Sequence, residues 1–303
     1  MKDVMIIGGG TAGLTAAIYA VRAGLSVEVI ESNMYGGQIV TTGSIDNYPG
    51  MPGVSGADFA NALYEQAAAL GIDITYQTIR EVNLLETSKK IVTDQETLTA
   101  AAVIIAGGAR PMKLGAKGEK ELEGAGVSYC ATCDGAFHRG KAVAVVGGGN
   151  TAIEDAVVLA GLCEKVYLIH RRNEFRAEQH MLDILRRKEN VEWITDAVVE
   201  EIIGVGAVES VKVKSTVADE VRNLDVSGVF IAIGSSPNSQ LYAGQLALDQ
   251  GGYIIADESC ITGLPGVFAA GDIRAKKVRQ LVTAAADGAS AALAASEYLA
   301  ALR

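Results

Sequence analysis

Two cysteines stand three residues apart in the run Cys130-Ala131-Thr132-Cys133-Asp134. Thiols at this spacing can close a small, reducible disulfide, the arrangement used for thiol-disulfide exchange. Asp134 directly follows the second thiol and is placed to give or take a proton as thiolate and disulfide interconvert, although a turn residue ahead of Gly135 would need no chemistry at all. A structural zinc site would need more ligands than this pair, and the three histidines, His138, His170 and His180, do not complete a set; no metal is expected. Inert packing of the two thiols is the other alternative. Cys163 and Cys260 are solitary in sequence and are expected as small buried residues.

Two glycine clusters could hold phosphate. Gly8, Gly10 and Gly13 match the dinucleotide fingerprint, in which absent side chains let the backbone approach a pyrophosphate at a helix N-terminus, here with Thr11 and Ala12 between them. The pattern follows an apolar strand, opens an Ala-rich helix, and is followed 18 residues after Gly13 by Glu31 at the end of the next strand. A carboxylate there accepts hydrogen bonds from ribose hydroxyls and repels a 2′-phosphate, so this copy should take FAD or NAD rather than NADP. The second cluster, Gly147-Gly148-Gly149-Asn150-Thr151-Ala152, has His170-Arg171-Arg172 and Arg176 where the first has its acid. Arginine holds phosphate oxygens bidentately, so this copy reads as an NADPH site; Ala152 in the third glycine position is a tolerated variant that loosens helix-strand packing slightly. Asn150 and Thr151 can both cap the helix and donate near a pyrophosphate.

The elements that must position these groups repeat. The first copy reads as a strand at Val4-Ile7, a helix to about Ala23 and a strand at Ser26-Ile30; the second as a strand at Ala142-Val146, a helix to about Leu162 and a strand at Lys165-Ile169. Each ends in an apolar strand running into glycine and proline, and aligning Gly108 with Gly234 also aligns Pro111 with Pro237. The segment from about residue 239 has no fingerprint of its own and ends in the helical stretch Val282-Leu302, so it should complete the first domain. The expected fold is α/β: two Rossmann-like nucleotide-binding domains, the NADPH domain (109–238, carrying the cysteine pair) inserted into a discontinuous FAD domain (1–108 and 239–303). Hydride transfer between two cofactors is the evident use of such a pairing.

Composition narrows the partners. With 303 residues and low aromatic content, the chain suits two domains of ordinary size. A formal charge of -10 disfavours nonspecific binding to nucleic acid or to an anionic membrane. The apolar stretch before Gly8 is too short for a signal-peptide core and no later run approaches a membrane span, so a cytoplasmic protein is expected.

The whole chain resembles the low-molecular-weight thioredoxin reductases of the class II pyridine nucleotide-disulfide oxidoreductases. The resemblance rests on the glycines at 8, 10 and 13, Gly36-Gly37-Gln38, Asn47-Tyr48-Pro49-Gly50, Cys130 to Gly135, Gly147-Gly148-Gly149, His170-Arg171-Arg172, Gly271-Asp272-Ile273 and Arg279-Gln280. It departs from the family's frequent Asp-Ser at Asn150-Thr151. The resemblance implies a homodimer with electrons flowing from NADPH to FAD, to the disulfide, and on to thioredoxin or a thioredoxin-like protein. It also implies an NADPH domain that rotates between nicotinamide and disulfide. It further implies FAD contacts from Gln38, Asn47, Asp272 on the ribityl chain and Gln280 near the isoalloxazine, together with Gly37, Val82, Ala106, Gly107, Gly271, Arg279 and Leu281. For NADPH the implied contacts beyond the basic cluster are Gly147, Gly149, Asn150, Thr151, Glu154, Ile233 and Gly234. Cys133 would face the flavin, Cys130 would attack thioredoxin, and Asp134 would be the acid-base residue. Two rivals differ in class. A flavoprotein that reduces peroxiredoxins would carry an additional N-terminal thioredoxin-like region, expected to be absent here; a non-enzymatic redox sensor would oxidise NADPH once and stop instead of turning over.

Overall fold

The computed structural model describes residues 1–302, apart from the side chain of Thr41. By contact density the chain divides into two compact units, 1–110 with 236–303, and 111–235.

Unit 1 begins with β1 (Lys2–Ile7), α1 (Thr11–Arg22) and β2 (Val27–Glu31). In β1, Val4 and Ile6 pack into one apolar cluster with α1, while Met5 and Ile7 pack into another. A strand alternates its side chains between two faces, so an unbroken apolar run is what a strand covered on both sides requires. After a 3₁₀ turn (Gly37–Thr41) comes α2 (Gly56–Ala69), whose N-cap Ser55 accepts from the Asp58 N–H. Strands β3 (Ile74–Tyr76), β4 (Ile79–Asn83), β5 (Lys89–Thr93) and β6 (Thr97–Ile105) follow. The sheet order is β3-β2-β1-β6, parallel, continued by the antiparallel β5 and β4.

A short β7 (Ala109–Pro111) leads into unit 2. There β8 (Val127–Ser128) and the single turn α3 (Ala131–Asp134) precede β9 (Ala142–Val146), α4 (Asn150–Ala160), β10 (Lys165–Ile169), α5 (Gln179–Arg186) and β11 (Val191–Ile194). Next come β12 (Ala197–Ile203), β13 (Ser210–Ser215), β14 (Val221–Asp225) and β15 (Gly228–Ile231). Five of these form the parallel sheet β11-β10-β9-β15-β8, and β12-β13-β14 form an antiparallel sheet. The order β11-β10-β9-β15 reproduces β3-β2-β1-β6 of unit 1, so the repeat visible in the glycine clusters extends to the parallel sheet of each unit.

The chain returns through β16 (Ser235–Pro237) to β17 (Val267–Ala269), which pairs parallel with the C-terminal half of β6, and to the long α6 (Leu281–Ala301). Helix α6 packs on α1 so closely that a Cβ at Gly288 would run into the Ala12 carbonyl. Cys163 and Cys260 are buried, and burial pushes both thiols up, Cys260 to about 12, which keeps them protonated and unreactive.

Candidate active site

In unit 1 the strand β1 delivers the chain into a turn that only glycine can make. Gly8 has φ of 109°, and a Cβ at Gly13 would run into the Gly8 carbonyl oxygen, so α1 can approach β1 only where both side chains are missing. The N-cap of α1 is Gly10, with no side-chain cap, and its first acceptor bond goes to Leu14 N–H. The amides of Thr11, Ala12 and Gly13 therefore open onto the loop, which is the arrangement that binds phosphate. At the end of β2, the Glu31 carboxylate accepts from the backbone N–H of Gly9 (2.8 Å) and Asn33 (2.9 Å), which fixes it beside this loop. A strap follows: Gly36 N–H donates to Gly9 carbonyl (2.8 Å), with Gly36 and Gly37 both at positive φ.

A second group of residues gathers at the start of α6 in the same unit. Gln280 is its N-cap, forming a capping box with Thr283, and its Oε1 accepts from Asn47 Nδ2 (3.0 Å). Gln38 Nε2 donates to the Ala109 carbonyl. The 3₁₀ turn Gly271–Ile273 presents Asp272, whose buried Oδ1 has no hydrogen-bond partner among the described residues; burial pushes this carboxyl up while Lys276 and Arg279 pull it down. Arg279 lies over the Tyr253 ring at 3.9 Å and its buried Nε is likewise without a partner. Buried polar atoms are normally satisfied, so an orphan acceptor and an orphan donor beside the uncapped loop fit a hydroxyl-bearing, anionic ligand such as FAD. Val82, Ala106 and Gly107 were expected in the same contact set. Val82 and Ala106 are buried, and the Ala106 carbonyl crowds Gly8. Leu281 opens α6.

Unit 2 repeats the cradle with different fittings. A Cβ at Gly147 would run into the Ala232 carbonyl, and Ala152 is fully buried, so the third position tolerates a methyl here. The N-cap of α4 is Gly149, without a side-chain cap; Asn150, a residue type able to cap, accepts from the Glu178 N–H at 2.8 Å, so its side chain points to the segment after β10. The His170 ring lies against Gly148 with Nε2 at 3.1 Å from the Glu174 carbonyl, and burial, helped by Arg171 and Arg172, pushes its pKa down. The His170 ring therefore fills the space under the loop. Arg171, Arg172 and Arg176 are exposed, and among the described residues none forms an ion pair. Thr151 and Glu154 are exposed on α4, and Gly234 (φ 116°) follows half-buried Ile233 at the end of β15. These open amides and free guanidinium groups fit a nucleotide bearing an additional phosphate.

The cysteine pair is closed: Cys130 and Cys133 form a disulfide with a Cα–Cα distance of 5.3 Å. Cys130 is the N-cap of the single turn α3. Three polar groups missed in the sequence reading hold this turn. Ser128, buried at the end of β8, donates to Asp134 Oδ2 (2.6 Å) and accepts from the Cys130 N–H (3.1 Å). Glu119, also buried, accepts from the amides of Leu114 and Gly115 and from the Tyr129 hydroxyl (2.8 Å), which anchors the residue before Cys130. Asp155 on α4 is pushed up to about 7 by desolvation, against a hydrogen bond from the Ala131 amide of α3. His138, after the turn, is pushed down by burial and bonds Ser227 at 2.9 Å. A serine two residues ahead of a cysteine and an acid within a helix carry no motif, so only the fold reveals them. Among the described residues no His, Cys, Asp or Glu group could hold a metal ion, and no helix is long and apolar enough to cross a membrane.

The chain is similar to known proteins over nearly its whole length. The family model for pyridine nucleotide-disulphide oxidoreductases matches residues 2–288. A thioredoxin reductase of Listeria innocua is 44% identical over 298 residues, covering 98% of this chain and 93% of that one. One from Mycolicibacterium smegmatis is 44% identical over 302 residues, covering 99% and 97%. The crystal structure of thioredoxin reductase from Streptococcus pyogenes superposes with a TM-score of 0.94 at 39% identity, covering 99% of each chain. A match over nearly the full length that spans both glycine loops and the closed cysteine pair places this chain in the pyridine nucleotide-disulphide oxidoreductase family.

Proposed function

We propose that the chain is an NADPH-dependent thioredoxin reductase in which unit 1 holds FAD and unit 2 binds NADPH. The observation that carries this reading is the closed Cys130–Cys133 disulfide in the same unit as a glycine loop flanked by three exposed arginines. In unit 1, the amides at the start of α1 and the carboxylate of Glu31 would hold the pyrophosphate and a ribose. Asp272, Arg279, Gln280, Asn47 and Gln38 would hold the remainder of FAD. FAD held there would supply the two-electron redox chemistry that links NADPH to the disulfide.

Two electrons and one proton convert the disulfide to a thiol and a thiolate. Asp134, aligned by the Ser128 hydroxyl, carries that proton to and from sulfur. The Cys130 thiolate then attacks the disulfide of thioredoxin, forming a mixed disulfide and releasing one thioredoxin thiolate. Cys133 displaces the second thioredoxin sulfur, which re-forms Cys130–Cys133 and frees the reduced partner. Arg171, Arg172 and Arg176 recognise the 2′-phosphate. The chain works in the cytoplasm, where NADPH is maintained, as a homodimer; sedimentation at the mass of a single chain would refute the dimer.

The experiment is an anaerobic titration of the yellow protein with NADPH, followed by steady-state turnover with a thioredoxin and a coloured disulfide. Flavin bleaching with thioredoxin-dependent turnover is expected. Cys133→Ser should still bleach but lose turnover by orders of magnitude, and retained turnover would overturn the shuttle. A single oxidation of NADPH that then stops would identify a sensor instead of a reductase.

A further inference from the structure

The two glycine loops provide an internal comparison. In unit 1 the segment after β2 straps the loop through Gly36 N–H to Gly9 carbonyl (2.8 Å), with Gly10 and Gly36 bridged. In unit 2 the segment after β10 does the same through Arg176 N–H to Gly148 carbonyl (2.7 Å), with Gly149 and Arg176 bridged. The straps are equivalent in backbone and opposite in content, since one is glycine-rich and the other carries the arginine.

Unit 2 adds a tie that unit 1 lacks. Asn150, the residue after the third loop glycine, reaches the strap and accepts from the Glu178 N–H at 2.8 Å. Its counterpart is Thr11, and among the described residues no side-chain hydrogen bond joins Thr11 to the strap of unit 1. The other end of the unit 2 segment is held by the His170 ring, which sits on Gly148, bonds the Glu174 carbonyl and lies 4.9 Å from the Phe175 ring. The exposed Arg176 side chain is thus carried on a backbone clamped from three directions. Arginine loses much rotational freedom on pairing, so fixing its backbone in advance lowers the ordering cost of phosphate recognition.

We propose that Asn150 is a positioning residue for nucleotide choice: its bond to the Glu178 amide holds the Arg176 segment against the glycine loop, and so supports the preference for a 2′-phosphorylated nucleotide. This deepens, and rests on, the reading of unit 2 as the NADPH site. The asparagine acts through the strap, so its loss should fall on the phosphate that distinguishes NADPH from NADH more than on the parts the two share.

The test uses the purified holoprotein and two probes, 2′,5′-ADP and 5′-AMP, with affinities measured by calorimetry, alongside the ratio of Michaelis constants for NADPH and NADH. Asn150→Ala should reduce the preference for 2′,5′-ADP by about 3- to 10-fold, the span of one ordinary hydrogen bond. Asn150→Asp keeps an acceptor on a side chain of the same length and should preserve the preference. Glu178→Pro removes the donor from the other side; Glu178 has φ of -63°, which proline adopts without strain. It should reproduce the loss, and combining it with Asn150→Ala should add nothing further. Equal weakening of both probes by Asn150→Ala, or an additive double variant, would overturn the proposal. Arg176→Ala is the control on the underlying reading: if it leaves the preference intact, the phosphate assignment fails and the proposal with it. If Arg176→Ala lowers the preference and Asn150→Ala does not, only the strap is refuted.

Discussion

Asp155 shows how one side chain can take on a property its sequence context does not announce. It stands beside Glu154 on α4, yet desolvation raises it from an ordinary 3.8 to about 7, with the Ala131 amide pulling in the other direction. A folded-state pKa above the unfolded value means that the native protein holds a proton the unfolded chain has released. The stability this carboxyl contributes is therefore full below about pH 4 and is lost as pH rises toward about 7. Replacing it with an uncharged group removes the penalty, so Asp155→Asn should melt higher than the parent at about pH 8, by roughly 2–4 °C for each kcal/mol recovered, and the difference should shrink at about pH 5. Equal differences at both values would show that the shift is not felt in the folded protein. Ser128 is similar in kind. Its hydroxyl bonds Asp134 and its oxygen receives the Cys130 amide, but nothing in the letters Val127-Ser128-Tyr129 distinguishes it from any buried serine.

At the scale of elements, the strand-loop-helix units are where local rules and packing agree. The Gly8-to-Gly13 run forms its turn because α1 must come within contact of β1, and a side chain at Gly13 would occupy the space of the Gly8 carbonyl. Gly13→Ala should therefore displace α1, cost about 1–3 kcal/mol of stability and yield protein with a lowered flavin content, read as a reduced ratio of visible to ultraviolet absorbance. Full flavin content in that variant would refute the steric argument. The start of α6 is held differently. Asp287, buried, takes bonds from Arg274 Nε (2.9 Å), Lys276 (2.7 Å) and the Gly271 amide (2.9 Å); burial pushes the carboxyl up but these donors outweigh it and hold it down. This ion cluster ties α6 to the turn that presents Asp272. Such a buried pair is strongly destabilising to break from one side, which makes it a positioning device more than a source of net stability.

Over the whole molecule, the family and the α/β architecture follow from short-range information: short unbroken apolar strands, glycines where a backbone must approach a phosphate, an acid or arginines at the end of the following strand, and two cysteines at exchange spacing. Those features are readable because each depends on neighbours within about twenty positions. Element limits were likewise close, with α1 ending at Arg22 and α6 running Leu281–Ala301. What sequence alone left undecided depends on residues far apart in the chain. Asn150 is of a type that can cap a helix, yet its oxygen accepts from an amide 28 residues away. The orphaned Asp272 oxygen, the lowered pKa of His170 beneath Gly148 and the raised Asp155 all follow from burial, which the fold sets and no local pattern encodes. Residue types and short spacings define donors, acceptors and thiols, and with them the chemistry open to this chain. Which of those groups are desolvated, paired or left open to a ligand is set by tertiary contacts, because solvent exclusion and hydrogen bonding depend on segments distant in the chain.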